Sequence, residues 1–62
     1  MSKHQIVTTS CGEVMVKQGA DEHTLECYIG DDFDEYIGEI AGNVYDDSYC
    51  LANDIENCLF QN

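Results

Sequence analysis

The sequence predicts a small α+β domain, a three-stranded antiparallel sheet followed by two helices packed on one of its faces. Two observations predict this class. In the first half of the chain, apolar residues alternate with polar ones at the period of two that is typical of strands. In the second half, they recur at a spacing near that of an amphipathic helix. A chain of 62 residues is too short for more than one core, so we expect residues 1–62 to form a single acidic α+β domain.

Three segments of the first half have the composition of strands. Residues 5–9 and 13–17 are rich in β-branched side chains, and the short polar segment 10–12 predicts a tight turn that joins them as a hairpin. A polar loop over residues 18–22 precedes a third strand, over residues 24–29. Strict alternation in the third strand would direct one set of side chains toward the core and the other toward solvent. The inward set is Leu25, Cys27 and Ile29, and the outward set is Thr24, Glu26 and Tyr28.

The second half predicts two helices. The first covers residues 32–41, with Asp31 or Asp32 as its cap, because its apolar side chains share one stripe: Phe33, Ile37, Ile40 and Ala41. Gly38 lies inside this segment and costs about 1 kcal/mol relative to alanine in a helix, so a strand over residues 35–40 is the alternative. The second helix has Ser48 as its N-cap. Its apolar face would hold Leu51, Ile55, Cys58 and Leu59.

The charge balance is strongly one-sided. Thirteen acidic residues stand against two lysines and no arginine, which gives a formal net charge of −11. Solubility of a small domain needs a net charge of only about 2 to 8, and an excess of one sign destabilises the folded chain by self-repulsion. The excess therefore predicts a basic partner protein, whereas direct binding to nucleic acid or to an anionic membrane is disfavoured by the sign of the charge.

The start of the chain predicts the compartment. It is polar and is not followed by the apolar stretch of a secretory signal, and the sequence has no run of about 20 apolar residues. We therefore expect a cytoplasmic protein, whose cysteines stay reduced.

Metal binding is not favoured by the sequence. The four cysteines, Cys11, Cys27, Cys50 and Cys58, contain no C-x-x-C pair, so buried free cysteines that behave as small hydrophobes explain them better than a zinc site does. A small cysteine-based metal module remains the less favoured alternative. The segment 31–34 begins like a calcium loop, but Tyr36 and Ile37 occupy the positions that need an oxygen ligand and a glycine. We expect no metal and no cofactor.

The sequence does not predict an enzyme. It contains no nucleophile elbow, no H-E-x-x-H motif and no phosphate-binding glycine loop. An enclosed cleft of several hundred cubic ångströms is also difficult to build beside so small a core.

The arrangement of the acidic residues predicts the binding surface. On the predicted first helix, Asp32, Glu35 and Glu39 would line one side, with rises of about 4.5 and 6 Å between neighbours. This spacing is comparable to that of DNA phosphates, about 3.4 Å along each strand, and carboxylates pair strongly with guanidinium groups. Tyrosines beside such clusters are typical of interface hot spots. The predicted partner-binding residues are Asp31, Asp32, Asp34, Glu35, Tyr36, Glu39, Tyr45, Asp46 and Asp47.

Two features carry a resemblance to known proteins: the β-then-α pattern and the acids of residues 31–35, Glu39, Asp46 and Asp47. In these features the chain resembles the small acidic DNA-mimic inhibitors of phages, in particular anti-CRISPR proteins. In length and acidity it is most similar to inhibitors of type I-C systems. The resemblance covers the whole chain in size and charge and involves no sequence motif. It implies that the acids occupy the PAM-recognition groove of a crRNA-guided surveillance complex, on its Cas8-type large subunit, and exclude target DNA in the host bacterial cell. An acidic inhibitor of another nucleic-acid-binding enzyme, such as a nuclease or a repair enzyme, is the alternative.

Overall fold

Residues 3–60 form a four-stranded antiparallel sheet that one helix covers on one face. The computed structural model describes residues 3–60. The strands lie side by side in the order in which they occur in the chain. The elements are β1 (His4–Thr9), β2 (Gly12–Gln18), β3 (Thr24–Ile29), β4 (Glu35–Ala41) and α1 (Ser48–Cys58).

The three predicted strands are confirmed as β1, β2 and β3, with ends that differ by no more than one residue from the prediction. The predicted hairpin joins β1 to β2, with Thr9 opposite Gly12. Gly12 has a φ of +119°, a conformation that glycine adopts without the strain other residues would meet. In β3, Leu25 and Cys27 are fully buried and Ile29 packs against the core, as the alternation predicted.

The predicted helix over residues 32–41 is wrong: residues 3–60 contain four strands in one sheet and one helix. Residues 30–34 form a turn in which Phe33 N donates a hydrogen bond to Gly30 O at 3.2 Å, and β4 begins at Glu35. The alternative strand over residues 35–40 corresponds to β4. Gly38 has a φ of +145°, which is incompatible with a helix interior and favours glycine.

A β-bulge explains why β4 has the spacing of a helix. Cys27 pairs with Gly38, but the next residue, Tyr28, pairs with Tyr36, so Ile37 is an extra residue in β4. A bulge shifts the alternation of a strand by one position. Residues three apart, such as Tyr36 and Glu39, therefore lie on the same face, as they would in a helix.

The second predicted helix is confirmed as α1, with two corrections. Asp47, and not Ser48, is the N-cap residue, and its side chain makes no capping hydrogen bond. Leu51 and Ile55 are buried as predicted, but Cys58 is exposed. The helix ends at Cys58, and the residues after it, rather than Cys58 itself, turn back against the core: Leu59 and Phe60.

The core lies between the sheet and α1. It consists of Val7, Val14, Val16, Leu25, Cys27, Ile40, Val44, Leu51 and Ile55. Two long-range hydrogen bonds hold the covering segments to the first hairpin: Ser10 N donates to Glu56 Oε2 at 2.9 Å and Gln5 Nε2 donates to Val44 O at 2.9 Å. The opposite face of the sheet, called the outer face below, carries the side chains that alternate with the core residues. Residues 3–60 include no helix with the length and apolarity needed to cross a membrane.

Candidate functional site

The charge is divided unequally across the sheet. Residues 19–47, which include β3, β4 and their loops, carry ten acidic residues and neither of the two lysines. Lys3 precedes β1, and Lys17 lies in β2. Because the strand order follows the chain, the two halves of the sheet differ in charge, and the half formed by β3 and β4 is called the acidic half below. Its acids are Asp21, Glu22, Glu26, Asp31, Asp32, Asp34, Glu35, Glu39, Asp46 and Asp47.

The predicted binding residues fall into two groups at opposite ends of β4, with Tyr36 and Glu39 between them. The first group lies in the turn before β4 and at its first residue: Asp31, Asp32, Asp34 and Glu35. The second follows β4, in the loop that leads to α1: Tyr45, Asp46 and Asp47. A seven-residue strand spans about 20 Å, so the structure does not bring the two groups together.

The predicted helical row of carboxylates is wrong, because its members lie in a turn and in a strand. Asp32 is in the turn before β4. Glu35 and Glu39 are four residues apart in a strand, about 13 Å, and the bulge at residue 37 places them on opposite faces. Glu39 shares the outer face with Tyr36, whereas Glu35 does not.

A compact cluster on the outer face combines two carboxylates with two aromatic rings. Glu26 lies directly opposite Glu39, and the rings of Tyr28 and Tyr36 have centroids 5.5 Å apart with an interplanar angle of 58°. Tyr28 OH donates a hydrogen bond to Glu26 Oε1 at 2.9 Å. We call Glu26, Tyr28, Tyr36 and Glu39 the acidic–aromatic face.

Glu26 and Tyr28 were absent from the predicted binding set. Their outward orientation follows from the alternation of β3, which the sequence predicts. Their association with Tyr36 and Glu39 follows only from the pairing of β3 with β4. The sequence does not predict this pairing, because the segment that forms β4 was predicted to be a helix.

The electrostatics of the acidic–aromatic face favour neutral phenols. The hydrogen bond to Glu26 raises the pKa of Tyr28 above its ordinary value. Partial desolvation raises the pKa of Tyr36, and the nearby charges of Glu39 and Glu26 add to the effect. Both rings therefore stay protonated at neutral pH. Two carboxylates directly opposite each other in a sheet, such as those of Glu26 and Glu39, repel. On its other side, Glu26 lies opposite Lys17 of β2.

This combination of groups is suited to a planar cation from another molecule. A guanidinium group forms two parallel hydrogen bonds with one carboxylate, and it also stacks on aromatic faces. A cation over a tyrosine ring gains about 0.5–1 kcal/mol at an exposed site. Tyr36 is 52% exposed, so its ring is accessible to such a group.

At the end of the acidic half where β4 finishes, two acids outside the predicted binding set lie at the same end of the sheet as Asp46. Gly42 N donates to His23 O at 2.8 Å, which brings the loop between β2 and β3 against the segment after β4. Asp21 and Glu22 therefore lie at the same end of the sheet as Asp46. His23 N donates to Asp21 Oδ1 at 2.8 Å, and this bond lowers the pKa of Asp21.

Tyr45, predicted to contact a partner, lies at this end and is 76% exposed. Lys3 Nζ is 5.6 Å from the centroid of its ring. The chain itself thus provides one example of a cation over an exposed tyrosine. Tyr45 follows β4 and does not join Tyr28 and Tyr36 on the outer face.

The cysteines do not form a metal centre within the described residues. No group of three or more metal-ligating side chains comes together among residues 3–60. All four cysteines are free, and three of them are exposed, so the prediction of buried cysteines holds for Cys27 and not for the others. Burial raises the pKa of the Cys27 thiol to about 11.

Comparisons with protein families, curated proteins and solved structures found no relative of this chain. No family model, no curated protein and no solved structure matches the chain. The charge and geometry of the acidic half are therefore the basis on which a function can be assigned.

Proposed function

We propose that this protein is an inhibitor that occupies the basic, nucleic-acid-binding site of a partner protein. The observation that supports it is the acidic half, ten acidic residues without a lysine or arginine among them. Nine of the ten are exposed, and Glu26 is half-buried. Such a surface costs stability through repulsion, and a partner rich in lysine and arginine would relieve that repulsion.

The geometry of the outer face supports mimicry of a phosphate backbone. Directly opposed residues in an antiparallel pair have Cβ atoms about 5 Å apart, so Glu26 and Glu39 present two acidic groups side by side. A DNA strand likewise presents closely spaced charges, one phosphate per about 3.4 Å of its axis. Acid groups at both ends of β4 extend the charged surface to about 20 Å. Tyr28 and Tyr36 add apolar contact area of the kind that dominates binding energy at interfaces.

The specific form of the proposal is an anti-CRISPR protein. In it, the acidic half occupies the PAM-recognition groove on the Cas8-type subunit of a type I surveillance complex, in the cytoplasm of a bacterial host, and excludes target DNA. The alternative partner, a nuclease or a repair enzyme, would be bound by the same contacts. Capture of binding proteins from cells at low salt, with and without competing duplex DNA, would distinguish these partners.

The proposal predicts which charges matter. A double variant, Glu26→Gln with Glu39→Gln, keeps the shape of the acidic–aromatic face and removes two charges from it. We expect its affinity for the captured partner to fall at least tenfold, which corresponds to about 1.4 kcal/mol, because charge-assisted bonds to arginine are lost. Affinity would be measured by calorimetry at several salt concentrations.

The matched control is Glu13→Gln with Asp54→Asn, which removes the same net charge from two exposed positions outside the acidic half. Its affinity should stay within about twofold of the parent protein, a difference of about 0.4 kcal/mol. Glu22 is unsuitable as a control because it lies at the same end of the sheet as Asp46. Equal losses in the two double variants would show that only the overall charge attracts the partner, and the assigned face would then be wrong.

A further inference from the structure

β1 is an edge strand whose outward backbone groups can be identified. Gln18 N donates to Lys3 O at 3.1 Å, so this opposed pair is hydrogen-bonded. In an antiparallel ladder, bonded and non-bonded pairs alternate. The backbone N–H and C=O groups of Gln5, Val7 and Thr9 therefore point toward β2. Those of the intervening residues point away from the sheet: His4, Ile6 and Thr8.

A groove of about 370 Å³ runs between this edge and α1. One of its lining residues, Glu56, accepts the hydrogen bond from Ser10 N. Two large apolar residues on its border are exposed, Ile6 at 41% and Tyr49 at 82%. The remaining lining residues are Thr8, Ser48, Ala52, Asn53 and Glu56.

We infer that the occupant of this edge is a second copy of the chain, bound by antiparallel pairing of β1 with β1 about a twofold axis at Ile6. Such an interface is isologous, so the same surface must complement itself. With the axis at the middle outward residue, Ile6 opposes the partner's Ile6, and His4 opposes the partner's Thr8. Each of these pairs exchanges two backbone hydrogen bonds, and the two Ile6 side chains lie side by side on the outer face.

The distribution of charge favours a second copy despite the net charge of −11. None of the three outward residues of β1 carries a carboxylate, and the acids of β4 and of the turn before it lie at the other edge, about 14 Å away across three strand spacings. Only the loop after β4 returns to β1, where Gln5 Nε2 donates to Asp46 O at 3.3 Å. Pairing at β1 therefore places the β4 strands of the two copies, with their acids, at the far ends of an eight-stranded sheet. This inference is independent of the proposed function, which uses the opposite edge.

Sedimentation velocity over a range of protein concentrations tests the dimer. We expect the sedimenting mass to double from that of a 7.0 kDa chain as concentration rises, and the dimer to strengthen with added salt, because salt screens the remaining repulsion. Binding to a basic partner would weaken with salt, so the two interactions are distinguishable. A mass that stays monomeric at all concentrations and salt conditions would overturn the inference.

Two substitutions to lysine provide a matched pair. Ile6→Lys places like charges opposite each other at the axis and should weaken the dimer at least tenfold. Tyr36→Lys makes the same change of charge at another exposed outer-face residue, on β4, and should leave the dimer intact. Loss of the dimer in both variants would contradict pairing through β1.

Cross-linking tests the register and does not depend on the fold tolerating a lysine. In a protein whose exposed cysteines are changed to serine (Cys11, Cys50 and Cys58), Ile6→Cys should form an intermolecular disulfide under mild oxidation. The two Cα atoms of a hydrogen-bonded pair are about 5.5 Å apart, within the range that a disulfide bridges. Thr8→Cys is the control, because the two copies of residue 8 would be about 13 Å apart. Equal cross-linking at both positions would refute the register.

Discussion

At the scale of single residues, Cys27 differs from the other cysteines. Its side chain is fully buried in the core, and burial raises the pKa of its thiol from 9.0 to about 11. The desolvated thiolate is disfavoured, so the folded protein retains a proton that the unfolded chain releases above pH 9. This group therefore contributes stability below that pH and loses its contribution as the pH rises toward 11.

We predict that the free energy of unfolding falls by about 1 kcal/mol between pH 9 and pH 10 from this thiol alone. Denaturant unfolding at a series of pH values would measure the decrease. A Cys27→Ala variant should be less stable at pH 8 because of the cavity, but its stability should depend less on pH over the same interval. An identical slope in the variant would assign the effect to other groups.

At the scale of elements, the bulge in β4 and the end of α1 depend on each other. Gly38 has a φ of +145°, and a Cβ added to it would lie 2.6 Å from Leu59 Cδ2. The missing side chain leaves room for Leu59 to pack on the sheet just after α1 ends. Gly12 also has a positive φ, but a Cβ there would meet nothing within 4 Å.

We predict that Gly38→Ala destabilises the protein more than Gly12→Ala. Both changes introduce strain at a positive φ, about 1–3 kcal/mol, and only the first also displaces Leu59. Chemical denaturation of the two variants would measure the difference. A 62-residue domain has a free energy of unfolding of about 3–9 kcal/mol, so the Gly38→Ala variant should retain only a small part of it. Equal losses would mean that Leu59 contributes nothing to the packing of β4.

The elements also show what the sequence can and cannot predict. The alternation of β3 and the turn at residues 10–12 are local signals, so three strands and the second helix were predicted correctly. The first helix was wrong because Ile37, as an extra residue in β4, produces the spacing of a helical stripe. The acidic residues were identified from composition, but the opposition of Glu26 and Glu39 depends on pairing between distant segments, which a single sequence does not reveal.

At the scale of the whole molecule, the acidic half opposes folding, whereas the proposed function uses it for binding. Glu26 and Glu39 are like charges in directly opposed positions, an arrangement that destabilises a sheet by about 0.2–1 kcal/mol. This loss of stability is expected if the surface has been selected for binding to a partner, as proposed, and not for the stability of the fold.

We predict that Glu39→Gln raises the free energy of unfolding and lowers affinity for the basic partner. Glu13→Gln is the control, since Glu13 opposes the uncharged Thr8; it should change stability less and leave affinity unaffected. Thermal unfolding at low and high salt would measure the gain, which should shrink as salt screens the repulsion. A variant that is both less stable and weaker in binding would argue against this conflict between folding and function.

The packing of α1 on β1 has a consequence for how the protein is made in a cell. The sheet is a simple meander, so each hairpin forms from neighbouring segments and has a short loop to close. The helix that closes the core against the first strand follows all four strands in the chain, at Ser48–Cys58. Until these residues have been synthesised, the nascent chain can form only hairpins, without the helix that covers their apolar face. The core can therefore close only after residue 58 has left the ribosome.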